Sequence, residues 1–280
     1  MTRSGLPVPE GFVVGTSAMS IALDSGGLRP EVTALLDSGR PEAQTAGAVR
    51  NMILALQPPN GLEAEIAAAM TRLGPGTPVA VRSSASAEDS EAASFAGQQE
   101  TYLNVLGLGN VWERVRECWA SFFSERALFY RARKASLSDL GMAVVVQQML
   151  QPEKAGVMFT IDPVRRRRDQ LIVEAVWGLG EPLVSGTVTP DRYVVARDGT
   201  VKQVRVAVQP MAILPLPGGG TGEQPLDPDH GASRVLGESE LVELAALGNR
   251  LQEHFGAPQD VEWAYQQGKL YVLQSRPVTR

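Results

Sequence analysis

The sequence contains very little cysteine or histidine. Its 280 residues include one cysteine, Cys118, and two histidines, His230 and His254. A single cysteine excludes an internal disulfide, which is typical of a protein that folds in a reducing cytosol. Cys118 lies in an apolar helical segment, where a thiol usually behaves as a small buried hydrophobe. We therefore expect a cytoplasmic protein without disulfides.

Long apolar runs and an excess of positive charge are also missing. No segment approaches the ~20 apolar residues that a membrane-spanning helix needs, and the N-terminal MTRSGLPVP has no apolar signal-peptide core. The net charge of −5 gives no reason to expect an anionic partner. The four arginines at 165–168 are accordingly interpreted as an exposed hairpin tip rather than a nucleic-acid patch. We expect neither nucleic acid nor membrane as a partner.

The pattern of apolar residues changes along the chain. Residues 110–134 carry large apolar side chains at helical spacing and predict a long helix. From residue 142 the chain is rich in β-branched residues, and we predict that 142–149 and 156–161 form an antiparallel pair of strands. Residues 214–232, rich in glycine and proline, are predicted to be a loop. Helices mixed with antiparallel strands indicate an α+β fold.

One loop could bind phosphate. The strand Pro78–Arg82 is followed by the small and hydroxyl residues SSASAEDS and then by a polar segment around Gly97. Such a loop can bring backbone N–H groups close to phosphate oxygens, and an arginine adds a planar cation. The same composition is also typical of an ordinary solvated loop, and composition alone favours that interpretation.

The C-terminal segment predicts a hairpin with strands at 261–265 and 270–276. Because side chains alternate along a strand, Asp260 and Glu262 share one face, and so do Gln274 and Arg276. Magnesium prefers hard oxygen ligands and takes few of them from protein, which fits Glu262 with Gln274. A solvated polar face on an edge hairpin is the alternative.

Four segments, in order, resemble the nucleotide-binding domain of the pyruvate phosphate dikinase and phosphoenolpyruvate synthase family, a domain type also found in rifampin phosphotransferase and phenylphosphate synthase. They are VAVRSSASAEDSEAASFAGQQETYLNV (79–105), VVVQQMLQPEKAGVMFTIDP (144–163), IVEAVWGLGEPLVSGTVTPDRYVV (172–195) and FGAPQDVEWAYQQGKLYVLQSRPVT (255–279). The resemblance implies that residues 1–280 form one ATP-grasp domain, with lobes at roughly 1–140 and 141–280 and the nucleotide between them.

The resemblance also implies roles for individual residues. Arg82 and Arg276 would contact phosphate, and Glu262 and Gln274 would hold Mg²⁺. Residues implied to contact the nucleotide are Gly97, Gln98, Gln99, Thr101, Gln147, Met149 and Glu174. The implied cofactors are therefore ATP and Mg²⁺.

The chain lacks parts that the family usually has. A Gly-Gly-Lys segment precedes the VPEGFVV-like stretch in the family, whereas this chain begins almost at that stretch. Neither His230 nor His254 lies in a Thr-Ser-His motif, and no acceptor-binding domain is present. The expected partner is therefore a histidine-bearing swivelling domain or chain acting in trans, with the small-molecule acceptor on another domain.

The expected function is that of the ATP-binding component of a dikinase-type phosphotransferase. It would transfer the pyrophosphoryl group of Mg-ATP to that histidine, release AMP, and so support phosphorylation of a small molecule. One alternative is a non-catalytic nucleotide- or partner-binding module that lacks the lysine segment. A direct kinase or ligase without a histidine carrier ranks below both, because no acceptor site is recognisable.

Overall fold

The computed structural model describes residues 1–84, 100–125, 128 and 141–278. The chain divides into two compact units, each with its own sheet and core. The first unit comprises Glu10–Met149 with Gly218–Gly220. The second unit comprises Met1–Pro9, Leu150–Pro217 and Thr221–Arg280. Both units combine helices with antiparallel strands, so the predicted α+β class is confirmed.

The first unit has a four-stranded sheet with helices on one face. Its strands are β1 (Gly11–Val14), β2 (Val79–Ser84), β3 (Thr101–Val105) and β4 (Ala143–Gln148). Its helices are α1 (Thr16–Ser25), α2 (Arg29–Leu36), α3 (Glu42–Leu54), α4 (Leu62–Leu73) and α5 (Leu108–Ser121). The strand order is β1-β4-β2-β3, and every pairing is antiparallel.

Helix α5 supplies much of the core of this unit. Val111, Val115 and Trp119 recur every four residues, so they form one apolar stripe, and all three are fully buried. The stripe belongs to the same core as Val81 and Val146 on one face of the sheet. The helix ends at Ser121 and a turn follows, so the predicted 110–134 helix is interrupted there; Glu125 and Leu128 are again helical, and 126–127 and 129–134 lie outside the described residues. The other sheet face carries Arg82 and Gln147 together with Ala80 and Val145.

The second unit contains a six-stranded antiparallel sheet and a separate two-stranded hairpin. The sheet strands are β5 (Lys154–Phe159), β6 (Gln170–Trp177), β7 (Asp191–Ala196), β8 (Val201–Arg205), β11 (Gln259–Gln266) and β12 (Lys269–Pro277). The hairpin strands are β9 (Met211–Pro215) and β10 (Thr221–Pro225), and the helices are α6 (Glu181–Ser185), α7 (Pro228–Gly231) and α8 (Glu238–Phe255). A short 3-10 helix covers Thr2–Ser4. The sheet order is β12-β11-β5-β6-β7-β8.

Two local predictions are wrong. The predicted pair of 142–149 with 156–161 does not form, because β4 pairs with β1 and β2 whereas β5 pairs with β6 and β11. The predicted loop at 214–232 instead contains β10 and α7, and its glycines concentrate at the hairpin tip, where Gly219 and Gly220 have positive φ. β4 pairs with two strands that lie earlier in the chain, whereas β10 pairs with β9 directly before it across the glycine-rich tip.

Helix α8 covers one face of the six-stranded sheet. Its buried Leu241, Leu244 and Leu251 belong to one core with Met158 and Trp263 of the sheet. The helix approaches closely, since a Cβ on Gly248 would lie 2.7 Å from a Leu171 side-chain carbon. This packing directs the alternate side chains of each strand to the opposite face. We call that opposite face the site face, because it carries the polar residues described below.

Within the described part of the chain, no helix is both long and apolar enough to cross a membrane.

Candidate active site

The terminal hairpin brings the predicted polar residues together. Glu262 of β11 lies directly opposite Gln274 of β12, and Asp260 lies directly opposite Arg276. Directly opposed residues in an antiparallel pair point to the same side of the sheet. The register therefore places a carboxylate, an amide oxygen and a guanidinium on one face of the sheet, as the alternation predicted, and the roles of these residues remain predictions.

A bulge in β12 creates this alignment. Glu262 pairs with Gln274 but Trp263 pairs with Val272, so the register shifts by one residue at Leu273. In a regular strand Gln274 would share the core face with Val272, because side chains alternate with a period of two. The bulge moves Gln274 and Arg276 to the site face. Bulges are common beside active sites, where they redirect a side chain.

Asp260 holds the guanidinium of Arg276 by two contacts. Its Oδ2 atom accepts a hydrogen bond from Arg276 Nε at 2.9 Å and forms an ion-pair contact with Nη2 at 2.8 Å. The Asp260 side chain is 13% exposed and that of Arg276 is 43% exposed. The pair therefore fixes one edge of the guanidinium and leaves the rest of a five-donor group toward solvent, where it can meet an anion.

Burial raises the pKa of the Asp260 carboxyl above its ordinary value; Arg276 opposes this rise and Glu262 adds to it. The folded state consequently binds this proton more tightly than the unfolded state, so stability from this group is lost as pH rises through the folded pKa. The pKa of Asp169 shifts in the opposite direction, because its hydrogen bond with Arg167 lowers the pKa to about 2. The stability that Asp169 contributes is therefore lost as pH falls.

We expect Asp260→Asn to make the slope of unfolding free energy against pH more positive in the acid range in which carboxyl groups titrate, because it removes a group whose stabilisation is lost as pH rises. Asn keeps the shape and one acceptor for Arg276 but cannot ionise. Urea unfolding at several acid pH values measures the slope, and Asp169→Asn is the comparison: its change in slope should have the opposite sign and lie mainly below about pH 4, because the folded pKa of Asp169 is about 2. An unchanged slope in Asp260→Asn would refute the raised pKa of Asp260.

Glu174 lies on the same face as Glu262, two strands away. Glu262 of β11 is opposite Val157 of β5, and Val157 is opposite Glu174 of β6. Because neighbouring strands lie about 4.8 Å apart, the two glutamate backbones are separated by roughly 10 Å. Arg192 of β7, on the other side of Glu174, places its Nε atom 3.9 Å from the Glu174 carboxylate.

The remaining described candidates lie in the first unit. Arg82 of β2 is opposite Thr101 of β3, and Gln147 of β4 is opposite Ala80 of β2, so the three candidates share one face. This face is opposite the one that carries the buried Val81 and Val146, so it lies away from the helices. Arg82 is half-buried, and Gln147 is buried.

Met149 follows β4 and is buried, and its backbone N–H donates to the Pro78 carbonyl at 2.9 Å. That N–H is therefore engaged within the protein, and a ligand reading the backbone here would use the carbonyl. Gly97, Gln98 and Gln99 lie outside the described residues.

Sequence reasoning missed two features of the site face: the Asp260–Arg276 pair and the position of Arg192. Asp191 and Tyr193 are fully buried on either side of Arg192. The alternation of a strand therefore places Arg192 on the polar side, a signal that the sequence contains. Its proximity to Glu174 depends on the β6–β7 register, which the sequence does not reveal.

Comparison with known proteins identifies the family. The family model described as "Pyruvate phosphate dikinase, AMP/ATP-binding domain" matches residues 1–280. The chain belongs to this family. The predicted resemblance to the dikinase and synthase nucleotide-binding domain is thereby confirmed.

Three relatives illustrate how the domain occurs in longer proteins. A probable phosphoenolpyruvate synthase of Methanothermobacter thermautotrophicus is 42% identical over 291 residues, covering 100% of this chain and 42% of the relative. A rifampicin phosphotransferase of a Streptomyces species is 43% identical, covering 98% of this chain and 32% of the relative. The phosphoenolpyruvate synthase of Pyrococcus furiosus is 37% identical, covering 100% and 40%. The chain thus spans less than half the length of these relatives.

Proposed function

We propose that this pyruvate phosphate dikinase-family domain binds Mg-ATP and transfers its β,γ-pyrophosphoryl group to a histidine on a separate domain or partner chain. The single observation that carries the proposal is the alignment of Glu262 with Gln274 beside the Asp260–Arg276 pair. That alignment supplies metal-binding oxygens next to an oriented guanidinium. The proposed fold is ATP-grasp, with two lobes that hold the nucleotide, as the resemblance implies.

The donor set fits magnesium. Glu262 offers a carboxylate and Gln274 an amide oxygen from directly opposed positions, both half-buried. Mg²⁺ prefers such oxygens and usually takes only one or two from protein, with phosphate and water completing the shell. The described residues contain no group of three or more His, Cys, Asp and Glu suited to a metal, so the proposed site uses these two protein ligands. Bound magnesium would neutralise part of the phosphate charge.

Arg276 and Arg82 would supply the other positive charges at the phosphates. Arg276, with one edge fixed by Asp260, would present its other N–H groups to the transferring phosphates. Arg82 would add a second cation, and Gly97, Gln98, Gln99 and Thr101 would cover the phosphates. Because phosphoryl transfer demands positioning and charge stabilisation more than covalent chemistry from the protein, these groups are of the right kind.

The proposed reaction transfers the pyrophosphoryl group of ATP to a histidine ring nitrogen. A histidine ring nitrogen attacks the β-phosphorus of ATP, and the bond from that phosphorus to the oxygen bridging it to the α-phosphorus breaks. AMP leaves with the electron pair on that oxygen, and the histidine carries the pyrophosphoryl group. Loss of the outer phosphoryl group to water leaves phosphohistidine, which then phosphorylates a small molecule on another domain.

The base and ribose would be bound by groups outside the phosphate site. Gln147 and the backbone at Met149 would meet the adenine edge, and Glu174 would accept hydrogen bonds from the ribose. An ionised carboxylate accepts hydrogen bonds through two oxygens, so it suits a pair of neighbouring hydroxyl groups.

The reaction products test this proposal. The chain would be incubated with Mg-ATP and a histidine-bearing domain, supplied in trans or in the same polypeptide, and with the same domain carrying His→Ala. We expect AMP and an acid-labile label from β-labelled ATP on the histidine domain, and neither with His→Ala. Release of ADP would instead support a direct kinase, and ATP binding without turnover would support a non-catalytic binding module.

A further inference from the structure

One row of side chains crosses the site face of the second unit from edge to edge. In spatial order it contains Gln274, Glu262, Val157, Glu174, Arg192 and Arg205. The row is acidic near β11 and basic near β7 and β8. The negative and the positive side chains are neighbours at Glu174 and Arg192.

The contact between Glu174 and Arg192 is an ion pair rather than a hydrogen bond. Arg192 Nε lies 3.9 Å from Glu174 Oε1, and the side chains are 37% and 29% exposed. At this distance and exposure the pair adds little to folding stability. Arg192 nevertheless attracts one oxygen of the Glu174 carboxylate toward β7. The other carboxylate oxygen of Glu174 is available to a ligand.

We propose that Arg192 is a positioning residue for Glu174, and that this pair makes ATP binding depend on the ribose hydroxyls. The inference rests on the proposed function, in which Glu174 accepts hydrogen bonds from the ribose. A glutamate side chain has several rotatable bonds, and holding it in one orientation before binding lowers the entropy lost when the nucleotide arrives.

Arg205 provides a matched control on the same row. It lies directly opposite Arg192 on β8, carries the same charge, and is exposed. In the part of the chain that the structure describes, its side chain forms no ion pair with Glu174. Removing its charge changes the field of the sheet face without removing the contact to Glu174.

The test compares affinities for Mg-ATP, 2′-deoxy-ATP and 3′-deoxy-ATP by calorimetry. We expect the wild-type chain to prefer ATP over at least one deoxy analogue by about tenfold, the size of one hydrogen bond to a charged acceptor. Arg192→Met should reduce this preference to about twofold or less, as should Glu174→Gln. Arg192→Lys should retain most of it, and Arg205→Met should leave it unchanged.

Three results would overturn this inference. A preference that survives Arg192→Met in a variant that unfolds at the wild-type temperature would overturn it. A wild-type chain that binds ATP with no hydroxyl preference would overturn it and leave the proposed nucleotide site standing. Absence of any ATP binding by the wild-type chain would overturn both.

Discussion

Replacing Arg276 with Gln is expected to slow AMP release from Mg-ATP by about 10³-fold, which is the usual effect on rate of losing an arginine that stabilises a transferring phosphoryl group. Gln keeps a donor for Asp260, so the fold is preserved, but it has neither the charge nor the fork that can bind two phosphate oxygens. The measurement is single-turnover AMP formation with a histidine-bearing partner. Arg276→Lys should recover only part of the rate, because an ammonium is a point charge.

Arg205→Gln is the control for this prediction, since it removes an arginine from the same site face at the end of the polar row. Its rate should match that of the wild type. A rate for Arg276→Gln within about threefold of the wild type would show that Arg276 does not act on the transition state.

Replacing Glu262 with Gln is expected to remove most of the magnesium dependence of ATP binding. Changing a residue that only supports a metal ligand already lowers metal affinity by about 10–100-fold. Loss of a charged ligand should therefore weaken Mg-ATP binding by at least about 100-fold. Binding measured in excess chelator should change far less. Calorimetric titration with and without magnesium gives both values.

Glu223→Gln supplies the matched change at an exposed position on β10, and its Mg-ATP affinity should equal that of the wild type. If Glu262→Gln bound Mg-ATP as tightly as the wild type, the metal ligand would have to be sought elsewhere.

The terminal hairpin could be predicted from sequence because its signals are local. Two runs of strand-forming residues flank Gln266-Gln267-Gly268, and Gln267 and Gly268 adopt the positive φ values that such a turn requires. The alternation of polar residues then placed Asp260 with Glu262. The resemblance supplied what alternation could not, namely the roles proposed for these residues.

The pairing of β4 and the row of side chains across the site face both depend on strand pairings that the sequence does not show. β4 pairs with β1, 130 or more residues earlier in the chain, and no local signal encodes such a partner. The bulge at Leu273 likewise arises where two strands pack, not from a turn residue. The contact of Arg192 with Glu174 depends on the same kind of long-range register.

The most direct test of the central claim is whether magnesium-bound ATP lies beside Gln274. Paramagnetic Mn²⁺ can substitute for Mg²⁺ at such oxygen sites, and it broadens nearby NMR signals. In a chain labelled with ¹⁵N at glutamine side chains, the Gln274 amide signal would be identified by its loss in Gln274→Met. The account predicts that Mn-ATP broadens this signal strongly and that an equal amount of Mn²⁺ without ATP has less effect. A Gln274 signal left sharp by saturating Mn-ATP, while other glutamine signals broaden, would contradict it.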